Sequence, residues 1–175
     1  MSKKQQTKKQ ISSSKRAIDA LFEEYTAFYQ NSVNRKLQWI AIPLIFFGIS
    51  GLVWLMPFPS LPFLGKYNGF INWFTILMAF TIYYYLRLAP TLSYAMLFTF
   101  GAFSYLIVQL EFAHKQGGAH PLVPCVAIFV IGLILFFIGA RREGKSASFK
   151  TKLKLLLIAP LWLWHLVFDK LKLPY

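Results

Sequence analysis

Between Lys36 and Lys115 only Lys66, Arg87 and Glu111 carry a full charge, which leaves uncharged runs of 29 residues (37–65), 20 (67–86) and 23 (88–110). A fourth run covers the 25 residues from 116 to 140. A helix rises about 1.5 Å per residue, so about 20 apolar residues cross the roughly 30 Å hydrocarbon core of a bilayer. Backbone amides have no water to bond to at that depth, and a run of this kind must satisfy them internally as a helix. The charge spacing therefore predicts an all-α membrane protein with four transmembrane helices, over about 38–56, 70–86, 91–110 and 122–140.

The connections are short. Pro57 to Asn68 contains three prolines and a glycine, and Leu88-Ala89-Pro90 makes a tight second turn; proline removes a helical donor and clashes with the preceding turn. Glu111 to Pro121 contains Gly117, Gly118 and two histidines. Short turns make consecutive spans antiparallel neighbours, and a four-helix bundle is the packing they predict.

Basic residues outnumber acidic ones 19 to 6. Eight precede the first span, eight follow the fourth, and with Arg87 they place seventeen on one side against Lys66 and Lys115 on the other. The positive-inside rule then predicts both termini in the cytoplasm. This charge flanks apolar spans instead of lining a folded basic face, which excludes nucleic acid as a partner. Membrane lipids, with anionic headgroups at the cytoplasmic surface, are the expected partners; nothing in the chain names a protein partner. The single Cys125 forms no internal disulfide, and no Cys/His cluster has the spacing of a zinc site.

Outside the spans, residues 1–11 carry four lysines and almost no apolar side chains, and are expected to lack fixed structure. Residues 12–175 are read as one membrane domain. After Ser12-Ser13-Ser14, a capping signal, Ile18, Leu21, Phe22, Tyr25, Phe28 and Tyr29 recur at three- and four-residue intervals, predicting an amphipathic helix before the membrane. At the other end, 155–168 is uncharged for only 14 residues and interrupted by Pro160. That length predicts an interfacial or re-entrant helix over about 147–172, with Trp162 and Trp164 at headgroup depth; a fifth, strongly mismatched span is the alternative.

Candidate functional residues are polar groups near the membrane, where burial without a partner is costly. Asn31, Asn34 and Gln38 share one helical face where the chain enters the bilayer, and Glu143 closes the fourth span beside Arg141 and Arg142. These four are the candidates for a polar lipid pocket; helix capping and a local ion pair are the simpler roles. His114 and His120 do not share a helical face, and His165 is expected on the opposite side of the membrane, so no metal site is expected from the histidines.

The segment Tyr25–Pro43, YTAFYQNSVNRKLQWIAIP, resembles the entrance segment of a family of small polytopic membrane proteins that includes the yeast-type 2-hydroxy-fatty-acid dioxygenase of phytosphingosine degradation. The family pattern is His-x-Asn-x-x-Asn-x-x-x-His with a proline five residues later. Asn31, Asn34 and Pro43 match it, while Tyr29 and Gln38 stand where the histidines would be. A second resemblance covers 136–168, with Gly139, Glu143-Gly144-Lys145 and Ile158-Ala159-Pro160-Leu161-Trp162. There the family histidine falls on Ala140, its glutamine on Phe136, and Ser146-Ala147-Ser148 replaces Pro-Ala-Leu.

The resemblance implies a fold, and relatives that use histidine-bound ferrous iron to remove one carbon from a 2-hydroxy fatty acid. Tyr29, Gln38 and Ala140 do not supply the ligands of such a centre. The expectation is therefore a catalytically altered, lipid-binding member with no cofactor and no catalytic residues. An active oxygenase with unusual ligands and an accessory subunit of a membrane complex remain as alternatives.

Overall fold

The computed structural model describes residues 17–63, 65, 71–144 and 149–174. The expectations for the basic tail and for the Ser12–Ser14 cap fall outside the described residues. Among those described there are six α-helices and no strand: α1 (Ala17–Phe28), α2 (Ser32–Trp54), α3 (Trp73–Leu88), α4 (Pro90–Lys115), α5 (Leu122–Glu143) and α6 (Phe149–Lys170). Local chemistry sets their ends. The Asn31 side chain accepts from the amides of Val33 and Asn34 and starts α2. Asn72 and Thr75 form a reciprocal capping box that starts α3. Ala89 alone separates α3 from α4, and Pro90 opens α4 where its missing N–H costs nothing. Gly144, in the left-handed region at φ 64°, ends α5.

Four stretches are long and apolar enough to cross a membrane: Ser32–Trp54, Pro90–Lys115, Leu122–Glu143 and Lys150–Lys170. Large apolar side chains are exposed along them, including Phe98, Tyr105, Val123 and Ile134. Such an apolar exterior belongs against lipid, and the chain is a multi-pass membrane protein. The four stretches differ from the expected four. The capping box at Asn72 leaves Ile71 outside α3, which has 16 residues, whereas α6 continues through Pro160 to 22 residues. Lys150, Lys152 and Lys154 extend α6 beyond its uncharged run, because lysine stems lie along apolar surface while their ammonium groups stay in water.

The tightest contact is between α2 and α5. A Cβ added at Gly48 would lie 2.5 Å from Phe129 Cβ and 2.8 Å from its Cα, and one at Gly132 would lie 2.9 Å from the Ile45 backbone nitrogen. Gly51 meets Cys125 and Gly139 meets Asn34, so the partners run in opposite directions and the two helices are antiparallel. Small residues that let backbones approach are the usual means of helix association in lipid, where apolar surface alone gives no preference for a neighbouring helix. Against this pair, Phe47 packs on Phe103 of α4.

Helix α6 joins the core. Leu155, Ile158, Ala159, Leu161, Trp162 and Leu163 are buried. Trp162 is buried against α1: its ring is tilted on that of Tyr25 at 4.6 Å between centroids and its Nε1 donates to Thr26 Oγ1 at 3.1 Å. The apolar stripe of α1, with Ile18, Phe22 and Tyr25 buried, provides that cover. Other contacts of α6 include Leu157 O with the Tyr85 hydroxyl, Trp164 with Thr99, His165 with Phe22 and Lys154 with Glu24. The end where α2 and α4 begin and α3 and α5 finish carries Arg35, Lys36, Arg87, Arg141 and Arg142, and is called the basic end below.

Candidate functional site

The turn between α1 and α2 lies at the basic end, against the last turn of α5. Glu143 reaches back across it. Its carboxylate accepts from the Asn31 amide at 3.0 and 3.2 Å, from the Gln30 amide, and from Asn34 Nδ2 at 3.0 Å. A carboxylate is an acceptor with about four lone-pair sites, and here it satisfies donors at the start of α2 that no helical carbonyl reaches. Asn31 returns one bond, from its Nδ2 to the Arg142 carbonyl at 3.3 Å.

From Asn34 the network runs inward. Gln38 Nε2 donates to Asn34 Oδ1 at 3.3 Å, and the Tyr25 hydroxyl donates to Gln38 Oε1 at 2.8 Å. Asn34, Gln38 and Tyr25 are each at most 1 % exposed. Gly139 makes the approach possible, because a Cβ there would sit 2.3 Å from Asn34 Oδ1. All four expected residues, Asn31, Asn34, Gln38 and Glu143, thus belong to one network that ties α1 and α2 to α5. Tyr25 is the member that the sequence left out of the candidates, since it stood there in an apolar stripe and at the start of the family-like segment with no polar role. The available signal was that a buried phenol needs a hydrogen-bond partner. Glu143 turns toward α2, whereas the simpler sequence role paired it with its arginine neighbours.

The positions that the resemblance assigns to histidines share neighbours. The Tyr29 ring lies tilted against that of Tyr25 with centroids 4.7 Å apart, and Tyr25 bonds to Gln38. Tyr29 and Ala140 line one cavity of about 190 Å³, together with Phe28, Phe136, Phe137, Arg141 and Lys152. Burial, with a smaller contribution from the Glu143 charge, pushes the Tyr29 phenol up to about 12. Burial, aided by Tyr29, also raises Tyr25 well above the ordinary phenol range. Both are neutral hydroxyls at physiological pH.

These groups do not fit a ferrous centre. The Gln38 amide is committed at both ends, Tyr29 resists becoming a phenolate, and Ala140 offers no donor atom. Among the described residues no group of three or more His, Cys, Asp or Glu side chains is arranged to hold a metal ion. His114 and His120 do come together at the opposite end, with ring centroids 4.9 Å apart, while His165 stacks on Phe22.

One further cavity lies beside the network and another far from it. A wholly apolar groove of about 200 Å³ lies between α2, α4 and α6, lined by residues that include Trp39, Pro43, Phe46, Met96, Pro160 and Trp164. Ile42, one turn beyond Gln38, also faces it. At the opposite end of the bundle, Trp54 Nε1 donates to Glu111 Oε1 at 3.0 Å beside a cavity of about 380 Å³ that Asn72 and Ser60 also line.

No curated protein and no solved structure matches this chain. A family model described as 2-hydroxy-palmitic acid dioxygenase Mpo1-like matches residues 16–171, which include α1 to α6 and every residue of the network above. The chain belongs to the Mpo1-like family.

Proposed function

We propose that this chain is a lipid-binding member of the family that does not carry out iron-dependent oxygenation. The observation that carries the reading is the bonded chain Tyr25–Gln38–Asn34–Glu143, which commits both ends of the Gln38 amide, at one of the positions where the family resemblance asks for an iron ligand, to neighbouring side chains. Lipid binding draws support from the apolar groove one turn away, whose proline, tryptophan and phenylalanine walls suit an acyl chain. Purified protein supplied with ferrous iron, oxygen and 2-hydroxypalmitic acid should retain far less than one iron per chain and leave the acid unshortened. Stoichiometric iron or turnover would overturn the loss of oxygenation. A brominated fatty acid should quench tryptophan fluorescence saturably, and the double variant Trp39→Phe, Trp164→Phe should lose that component. Unsaturable quenching, the same in both proteins, removes the groove from the reading.

The seventeen-to-two split of basic residues supports placing the basic end in the cytoplasm together with both termini. Cysteine at Lys115 should then react with an impermeant reagent from outside, and cysteine at Lys152 or Lys172 should not. External labelling at Lys172 with none at Lys152 would mean that α6 crosses completely.

A further inference from the structure

The cavity bounded by α1, α5 and α6 differs in character from the groove. Two of its lining side chains, Arg141 and Lys152, are cationic and exposed at its mouth, while Phe28, Phe136 and Phe137 supply apolar wall. Among the described residues neither cation makes a hydrogen bond or an ion pair. Tyr29 is only 2 % exposed, lines the same cavity, and its hydroxyl likewise has no hydrogen-bond partner among the described residues. The hydroxyl oxygen is still reachable from the cavity, where it can donate to a group that enters. Ala140 holds that space open with a methyl group.

The geometry points to a binding site for the phosphomonoester headgroup of an anionic lipid, with Arg141 and Lys152 as its cationic ligands and the Tyr29 hydroxyl as a neutral donor. Charge selects this class. A phosphomonoester carries about −1.5 to −2 near neutral pH and balances two cations, whereas a carboxylate or a phosphodiester carries only about −1. The planar arginine fork suits phosphate oxygens, and lysine adds a point charge. The three phenylalanines accept the methylenes nearest the headgroup, so an amphiphile fits where a free ion would leave apolar wall uncovered. Glu143, the nearest carboxylate in sequence to Arg141, is turned to the amides that begin α2. The site lies apart from the acyl groove and stands or falls independently of it.

The test uses the full chain in detergent or in phosphatidylcholine nanodiscs, with dioctanoyl phosphatidic acid as the probe. Dioctanoyl phosphatidylcholine, octanoate and inorganic phosphate form the comparison arms. Phosphatidic acid should bind at least about tenfold more tightly than any of these, as charge-assisted bonding by two cations requires. Arg141→Gln with Lys152→Gln should lose about tenfold or more, and Tyr29→Phe about fivefold. Ala140→Leu should block binding with no change of charge, which keeps the test open if the charge variant does not fold. Lys170→Gln with Lys172→Gln, an equal charge change at the other end of α6, should leave affinity unaltered. Equal binding of octanoate or inorganic phosphate overturns the proposal; so does an equal loss in the Lys170/Lys172 variant, or full affinity in both Tyr29→Phe and Ala140→Leu. Quenching at Trp39 and Trp164 by brominated fatty acid should persist in the Arg141/Lys152 variant, separating this site from the groove.

Discussion

The α2–α5 seam and the α1–α6 contact join helices by opposite means. In the seam, Gly48 and Gly132 bring backbones so close that a single added carbon would overlap a neighbouring main chain or Cβ. In the α1–α6 contact, large rings meet instead: Tyr25 on Trp162 and Phe22 on His165, with a polar tip on Trp162 bonded to Thr26. The difference follows from the surroundings. Apolar surface brings no preference for another helix over lipid tails, so spans gain from close approach and dispersion. Near an interface an amphipathic helix still has water to escape, and aromatic residues with a polar edge cover it well.

Substitutions should separate the two modes by size of effect. Gly48→Leu forces a side chain into Phe129 and should destabilise the fold by about 3 kcal/mol, read as unfolding by a denaturing detergent. A change under about 1 kcal/mol would mean the seam relaxes and is not close-packed. Glu143→Gln keeps the shape but replaces an acceptor-only group facing amide donors with one that also donates. The expected cost is about 2 kcal/mol, with earlier amide exchange at Gln30 and Asn31. Unchanged exchange there would place the start of α2 under other control.

On the aromatic side the effects should be smaller. Thr26→Val leaves the shape of the contact but strands the Trp162 N–H, at about 1 kcal/mol, and should shift the indole emission. Lys154→Gln removes the ion pair with Glu24, whose partners are 48 % and 43 % exposed, and should cost less than about 0.5 kcal/mol, shrinking further with salt. If this last variant proved the most damaging of the four, the ranking of seam over flank would be reversed.

Much of the candidate site was legible along the chain. Asn31, Asn34 and Gln38 stand at helical spacing, and that alone puts them on one face beside the membrane entrance. The destination of their bonds was not legible, because Glu143 lies 109 residues beyond Asn34 and nothing local distinguishes it from a carboxylate paired with Arg141. The glycines of α2 and α5 read as ordinary components of apolar runs until their partners are known. Helix α6 shows the same limit from the other direction: counting uncharged residues stops at 14, but the helix does not stop where the charge begins, since lysine stems can line an apolar surface.

Charge spacing along the chain was sufficient for the helical class, the membrane and the one-sided basic flank. Each of these depends on transfer of a local segment from water to lipid, a sum over neighbours in sequence. The closed network at Gln38, the burial of Trp162 and the cavity beside Tyr29 depended on three-dimensional packing. Directional bonds and close contacts are decided by which distant residues arrive at the same point, and that is set by how the helices cross, not by the order of their residues.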